Sequence, residues 1–281
     1  MGRERLTITL DGELLKEIDA TVDGVNIRNR SHAIERLLGM MLSQKAPDKA
    51  LILAGGDLAR TPDGSRVPKA MVEVKGSPIL KYVIRELSRN KVTDIIIAAG
   101  EGSEIITNYF GDGSLFGVKI NYIIEEKRRG TEGALQLAKG LMGMEPFYVV
   151  NGDNIFRLNF AEMYKQHIAT KALVTMALTT AEKTLGFGVT KLDGSRIVDF
   201  SEKPVAGKDK LVSTGIYIFD HTVLGMLRSS SVPIMLETSL FPRLAESGKL
   251  YGYVFSSIWE PFVTGDVEKG TRRMEKALEG E

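Results

Sequence analysis

Ala50-Leu51-Ile52-Leu53-Ala54-Gly55-Gly56 is the stretch on which the reading of this chain turns. Five apolar residues without polar alternation describe a strand buried on both faces, as inside a parallel sheet. The strand ends on two glycines, whose backbone a ligand can approach closely because no side chain intervenes. Arg60 and Lys69 follow in the next long loop and offer two cations to phosphates. Neither GxxxxGK[ST] nor GxGxxG occurs, so neither a P-loop nor the dinucleotide fingerprint applies.

Downstream, strand and helix signals alternate. A helical stretch runs near Ser77 to Asn90, then come strands at Asp94–Ala98 and Val118–Ile124, and Gly130-Thr131-Glu132-Gly133-Ala134-Leu135 opens another helix. Phe147-Tyr148-Val149-Val150-Asn151 reads as a strand that delivers Gly152-Asp153-Asn154 at its carboxyl end. Such alternation predicts an α/β fold, in which ligands gather at the carboxyl ends of the strands.

Upstream, the polar, proline-containing residues 45–49 read as a linker and divide an arm, residues 1–44, from a large domain, residues 50–281. In the arm, Arg5-Leu6-Thr7-Ile8-Thr9-Leu10 alternates strictly, which predicts a strand with Leu6, Ile8 and Leu10 on one face. Asp11 can cap a helix carrying Leu14, Ile18 and Val22, and a second helix begins near Asn29-Arg30-Ser31 with Ala33, Ile34, Leu37, Leu38 and Met41 on it. A lone strand has two unpaired edges and two short helices leave apolar faces open, so the arm is expected to pair with a second copy. A homodimer or higher even oligomer follows.

Composition narrows the chemistry. The 281 residues hold 37 Lys and Arg against 36 Asp and Glu, which excludes a uniformly basic coat but not a local basic patch. Residues 1–50 hold eight of each sign; Arg3, Arg5, Arg28 and Arg30 lie on the strand or the second-helix entry, while Glu13, Glu17 and Asp19 sit on the first helix and are expected to face away. The absence of cysteine removes disulfides, thiol catalysis and thiolate metal sites, and His32, His167 and His221 are too far apart for a zinc motif. A catalytic metal would be a hard cation on carboxylates. No run approaches the ~20 apolar residues needed to span a bilayer, and a cytoplasmic location is expected.

Two resemblances sharpen these expectations. Across residues 3 to 43, RLTITLDGELLKEID and NRSHAIERLL resemble the ribbon-helix-helix family of DNA-binding proteins. This implies double-stranded DNA as partner, with Arg5, Thr7 and Thr9 facing base edges in the major groove and Asn29, Arg30 and Ser31 holding a phosphate. Across residues 50 to 256, LAGGDLAR, PKAMVEVKGSPIL, EEKRRGTEGAL, NGDN, GFGVTKLDGSRIVDFSEKP and STGIYIF, in this order, resemble the sugar-1-phosphate nucleotidyltransferase (NDP-sugar pyrophosphorylase) family. This implies a Rossmann-like domain with a mixed, mostly parallel sheet, and a site for a nucleotide, sugar phosphate or nucleotide sugar. By position, Gly55, Gly56 and Asp153 would bind the nucleotide, with Gly130 and Thr131 near its base. Arg60 and Lys69 would hold the triphosphate, Lys203 would face the sugar phosphate, and Glu202 and Gly215 would face the sugar. Asp153 would also bind Mg²⁺. Glu125 and Glu126, near the base site, leave the base undetermined.

The chain departs from that family twice. Where the family reads Gly-Gly-x-Gly-Thr-Arg, this chain has Gly55-Gly56-Asp57-Leu58-Ala59-Arg60: Leu58 restricts the backbone, Ala59 lacks a hydroxyl, and Asp57 brings negative charge toward the triphosphate. Where the family has a metal-binding aspartate two residues after a tryptophan, Trp259 is followed by Glu260 and then Pro261. Losing that carboxylate is expected to weaken charge stabilisation and impair catalysis. The leading expectation is therefore a dimeric DNA-binding transcriptional regulator that uses its nucleotidyltransferase-like domain as a ligand sensor. The alternatives are an active sugar-1-phosphate nucleotidyltransferase with a dimerising or autoregulatory arm, and a purely structural dimer.

Overall fold

The computed structural model describes residues 7–22, 24, 27–42, 46–181, 186–202, 211–263 and 266–279. The chain divides into two compact units, Met1–Ala46 and Pro47–Glu281.

In the first unit, Asp11 accepts hydrogen bonds from the backbone N–H groups of Glu13 and Leu14 and starts helix α1 (Gly12–Ala20). Asn29 accepts from the N–H of His32 at 2.9 Å and so starts α2 (Arg30–Leu42). Capping of this kind satisfies N–H groups that a helix leaves without partners. Ile18 and Ala33 are buried, whereas Ile8, Leu14 and Leu38 are exposed. The expected strand differs: Arg5 lies outside the described residues, and Thr7–Leu10 form no strand in the single chain, with Thr7 and Thr9 exposed. A lone strand has no ladder to join. Asp19 does not face away either, since Arg30 donates to both of its carboxylate oxygens, at 2.7 and 2.6 Å. The Arg30 guanidinium is thus engaged within the unit, while the phosphate role that resemblance gave this segment falls to the backbone N–H groups near Asn29, Arg30 and Ser31.

The second unit is built on strands β1 (Lys49–Leu53), β2 (Leu58–Arg60), β3 (Arg66–Pro68), β4 (Glu73–Val74), β5 (Ser77–Pro78), β6 (Asp94–Ala99), β7 (Lys119–Ile124), β8 (Phe147–Asn151), β9 (Asn154–Phe156), β10 (Val174–Thr180), β11 (Gly188–Asp193), β12 (Arg196–Glu202), β13 (Leu211–Phe219), β14 (Leu250–Val254) and β15 (Trp259–Pro261). Helices α3 (Ile79–Arg89), α4 (Ser103–Phe110), α5 (Gly130–Met142), α6 (Phe160–Thr170), α7 (Leu236–Glu246) and α8 (Val267–Glu279) are interleaved with them. Nine strands form one sheet in the order β10-β14-β12-β11-β13-β8-β1-β6-β7.

Strands β7, β6, β1 and β8 run parallel. From β8 outward the sheet turns antiparallel through β13, β11 and β12, with β10 and β14 the one further parallel pair among the described strands. The sheet is thus mixed, but mostly parallel only in its first half. The second half contains hairpin-linked neighbours such as β11 and β12, and a short turn can join antiparallel strands only.

Burial follows the sequence. Ala50, Leu51 and Ile52 of β1 are fully buried between layers, and Leu51 packs in one core with Ile96, Leu135, Phe147, Val149, Phe219 and Phe241. A smaller core collects Ala59, Val72, Val74, Ile79, Ile155, Phe262 and Met274. It anchors β2 and β3, which pair Leu58 with Pro68, Ala59 with Val67 and Arg60 with Arg66. Leu58 and Ala59 therefore have a structural account: the segment is an extended hairpin strand, which suits a branched residue, and Ala59 is a small core residue.

Order within the parallel half locates the site. The strand after β1 in the parallel set, β6, lies on one side of it and β8 lies on the other. A crevice opens at the carboxyl ends wherever strand order reverses in this way. Gly55 and Gly56 leave β1 there, and Gly152 and Asp153 leave β8 beside them, with the Gly152 N–H donating to the Leu53 carbonyl at 2.9 Å.

Candidate active site

Two cavities open at that crevice. One, of about 480 Å³, is walled by Leu53, Gly55, Gly56, Asp57, Glu125, Arg128 and Gly130, among others. The second, of about 520 Å³, is walled by Lys69, Gly188, Glu202, Gly215, Tyr217, Glu237 and Trp259, among others. Thr131, Asn151, Asp153 and Met235 border both, so the two are halves of one cleft with Asp153 at the junction.

The first half is made of loops at the ends of parallel strands. Gly130 opens α5 at φ +76°, and a side chain there would collide with the Ile234 carbonyl, so the residue type is dictated by both backbone and contact. Glu125 borders the cavity and accepts from the Arg129 N–H at 3.2 Å. Burial pushes its carboxyl above the usual range, while that hydrogen bond and the Arg129 charge oppose the shift. Glu126 is exposed and lies outside the walls. Asp57 is ion-paired with Arg128. The negative charge that this departure adds is thus matched across the cavity, and the hydrogen bond to Arg128 holds the Asp57 carboxyl below its ordinary range.

The second half is made of side chains on antiparallel strands. Gly215 in β13 stands at φ +75°, and the Asn151 side chain occupies the space a Cβ there would need. Trp259 and Phe187 form an aromatic wall, ring centroids 5.2 Å apart, and the Trp259 indole donates to the Thr214 carbonyl at 3.0 Å. The Tyr217 hydroxyl pairs with Ser213 at 3.1 Å. Glu237, in the first turn of α7, accepts from the Thr131 hydroxyl at 2.7 Å, and the same hydroxyl accepts from the Leu236 N–H at 2.8 Å. Thr131 thereby ties the start of α5 to the start of α7 and joins the two halves.

At the junction, desolvation raises the Asp153 carboxyl above its ordinary range, and the charge of Lys69 acts against that rise. Pro261 lies opposite Asn154 in the β15–β9 pair and the Phe262 N–H donates to the Asp153 carbonyl at 2.9 Å, so the Pro261 segment does border the metal candidate. Glu260 does not replace the missing carboxylate. It points out of the cleft and pairs with Arg273 of α8 at 2.8 Å, as adjacent residues of an extended segment must face opposite ways. Among the described residues no three His, Asp or Glu side chains cluster as a metal cage.

The structure therefore gathers Gly55, Gly56, Lys69, Gly130, Thr131, Asp153, Glu202 and Gly215 around one cleft. It leaves out Arg60, which is exposed beside Arg66 on the hairpin and belongs to neither set of walls. Lys203 lies outside the described residues. Sequence reading missed Glu237, Asn151, Tyr217, Phe187 and Arg128 as wall residues. Only Arg128 carried a signal, as a cation two residues before Gly130.

The nucleotidyl transferase family model matches residues 49–266 and leaves the first unit outside. The mannose-1-phosphate guanylyltransferase catalytic subunit beta of Danio rerio is 33% identical over 229 residues, 77% of this chain and 63% of that protein. The mannose-1-phosphate guanylyltransferase of Mycobacterium tuberculosis is 28% identical over 229 residues, 78% and 64% of the two chains. The chain thus spans just under two thirds of the length of these two relatives. It matches 98% of the D-glycero-alpha-D-manno-heptose 1-phosphate guanylyltransferase of Aneurinibacillus thermoaerophilus, at 28% identity over 82% of its own length. Among solved structures, HddC from Yersinia pseudotuberculosis shares the fold, with a TM-score of 0.69 and 20% identity over 80% of this chain and 99% of that one. No helix among the described residues is long and apolar enough to cross a membrane.

Proposed function

From the premise that this chain belongs to the nucleotidyl transferase family, we propose that it is an active sugar-1-phosphate nucleotidyltransferase, and specifically a guanylyltransferase. A phosphate oxygen of the sugar 1-phosphate attacks the α-phosphorus of GTP, the bond from that phosphorus to the bridging oxygen breaks, and pyrophosphate leaves with the electron pair. The observation that carries this reading is the two-part cleft meeting at Asp153, with Lys69 near it in the second half. It offers one half to each substrate and puts opposite charges where the reacting phosphate would lie. Transfer of this kind depends on positioning and charge neutralisation rather than on covalent chemistry by the protein.

The roles follow from the walls. Gly55, Gly56 and Gly130 admit the nucleotide backbone-close, and the Glu125 carboxylate suits the adjacent N1–H and N2–H donors of guanine. The three relatives described above, each a guanylyltransferase of a sugar 1-phosphate, support the base. Glu202 and Glu237 accept from sugar hydroxyls, with Trp259 and Phe187 against the ring. Lys69 neutralises the transferring phosphate; Lys203 keeps the sugar-phosphate role that resemblance gives it. Mg²⁺ fits this donor set: Asp153 offers a desolvated carboxylate, and Mg²⁺ is commonly held by one or two carboxylates with phosphates and waters completing the shell. When bound it would withdraw charge from the α-phosphate. A nucleoside triphosphate substrate agrees with a cytoplasmic setting.

Pyrophosphate release from GTP plus mannose 1-phosphate, heptose 1-phosphate and glucose 1-phosphate, compared with ATP, UTP and dTTP, tests the proposal. Turnover with GTP and at least one sugar phosphate supports it, and a silent panel with Mg²⁺ present overturns it. The regulator reading is second, favoured by the separate capped helical unit with Ile8, Leu14 and Leu38 exposed. It requires the full chain to be dimeric and to bind duplex DNA with an affinity that falls steeply with salt.

A further inference from the structure

Among the described residues that wall the cleft, the cations are Lys69 and Arg128. Lys69 borders the sugar half beside Asp153. Arg128 is the cation of the nucleotide half, and Arg60, to which resemblance gave the triphosphate, lies on the outer hairpin instead. The Arg128 guanidinium is held by Asp57, through a hydrogen bond from Nη1 to Oδ1. Asp57 directly follows Gly55-Gly56 at the end of β1, while Arg128 precedes Gly130 at the start of α5, so the pair spans the cavity between the two loops that bracket it. Both side chains remain more than half exposed, at 57% and 69%, and an ion pair so exposed is weakly held and easily exchanged.

A carboxylate offers this guanidinium one negative charge. A triphosphate offers several, on oxygens whose spacing suits the planar fork of arginine for paired hydrogen bonds. We propose that Arg128 is a triphosphate-binding residue kept on Asp57 until a nucleotide enters, when phosphate oxygens take the place of the carboxylate. Asp57 is then a built-in competitor. It sets the threshold a ligand must pass to recruit Arg128, and so favours polyphosphates over a nucleoside or monophosphate. The departure at Asp57 and the cation at Arg128 become one device, and the inference rests on the nucleotide reading given above.

The partners of this pair are predicted to have opposite effects, which a mere strut between two loops could not produce. Isothermal titration of the full chain with Mg²⁺ and the tightest-bound of GTP, ATP, UTP and dTTP, alongside the matching nucleoside, reads this out. Arg128→Met is expected to weaken triphosphate binding about tenfold, the scale of one lost charge-assisted contact, and to leave the nucleoside unchanged. Asp57→Asn is expected to tighten the triphosphate several-fold, and Arg128→Lys to restore part of what Arg128→Met loses. If both substitutions weaken triphosphate and nucleoside alike, the pair is a strut and the inference fails. If wild type binds a triphosphate and Arg128→Met binds it equally well, the inference fails while the transferase reading stands. If wild type binds none of the four, both fail.

Discussion

The two halves of the cleft are built by different means. On the nucleotide side, glycine backbone from the ends of β1 and the start of α5 lines the wall, and charge is carried by an exposed, exchangeable ion pair. On the sugar side, the wall is side chains on antiparallel strands and at the starts of α5 and α7, fixed by hydrogen bonds such as Thr131 to Glu237 and Trp259 to Thr214. The contrast follows from the strands. Parallel strands return through helices and leave loops and helix starts at the carboxyl edge, whereas antiparallel strands can present alternate side chains along their length. Under the proposed function, a flexible triphosphate would meet an exchangeable ion pair, and a rigid sugar ring would meet side chains fixed by hydrogen bonds.

Asp153 belongs to both halves, and its loss should have the largest effect. Asp153→Asn is expected to reduce turnover on the order of 10²-fold or more, measured as pyrophosphate release. The same variant should be more heat-stable at neutral pH without metal. A carboxyl whose folded-state pKa is raised favours folding at acid pH, and that contribution is lost as pH rises through the raised value. A less stable metal-free Asp153→Asn protein would remove the desolvation argument.

Gly215→Ala probes the rigidity of the sugar half. It forces a side chain into the positive-φ region against Asn151 and should cost roughly 1–3 kcal/mol of stability, read by denaturant titration, with nucleoside affinity retained. Equal damage to nucleoside binding would mean that the halves are not separable.

Glu237→Gln keeps the shape but removes a charged acceptor. It should raise the KM for the sugar phosphate about tenfold and leave the KM for GTP near its wild-type value. The smallest effect is a pH dependence on the nucleotide side. Burial raises the Glu125 carboxyl, so it should become protonated at a higher pH than an ordinary glutamate, and the KM for GTP should climb a few-fold as pH falls through that range. Glu125→Gln should abolish the climb.

Much of the fold could be read because it rests on local rules. The unbroken apolar run of β1, the glycines after it, and the polar strand end at Asn151-Gly152-Asp153 each carry their own signature, and together they point to a crevice. The antiparallel second half was less legible. Alternation marks a strand but does not say which neighbour it will join, so the expected mostly parallel sheet held for β7, β6, β1 and β8, with the β10–β14 pair the one parallel pairing beyond them among the described strands. Asp57 shows the same limit from the other direction. Alone it reads as a charge hostile to phosphate, and only its pairing with a residue 71 positions away changes that meaning.

The sequence by itself determined where the backbone can approach a ligand and which carboxylate ends a buried strand, because those properties depend on residue type and near neighbours. The tertiary structure decided which side chains share the cleft. It set Arg60 outside, brought Arg128 in opposite Asp57, and joined Thr131 to Glu237 across 106 residues. Those pairings depend on strand order and on the packing of α5 against α7, long-range choices that no local pattern encodes.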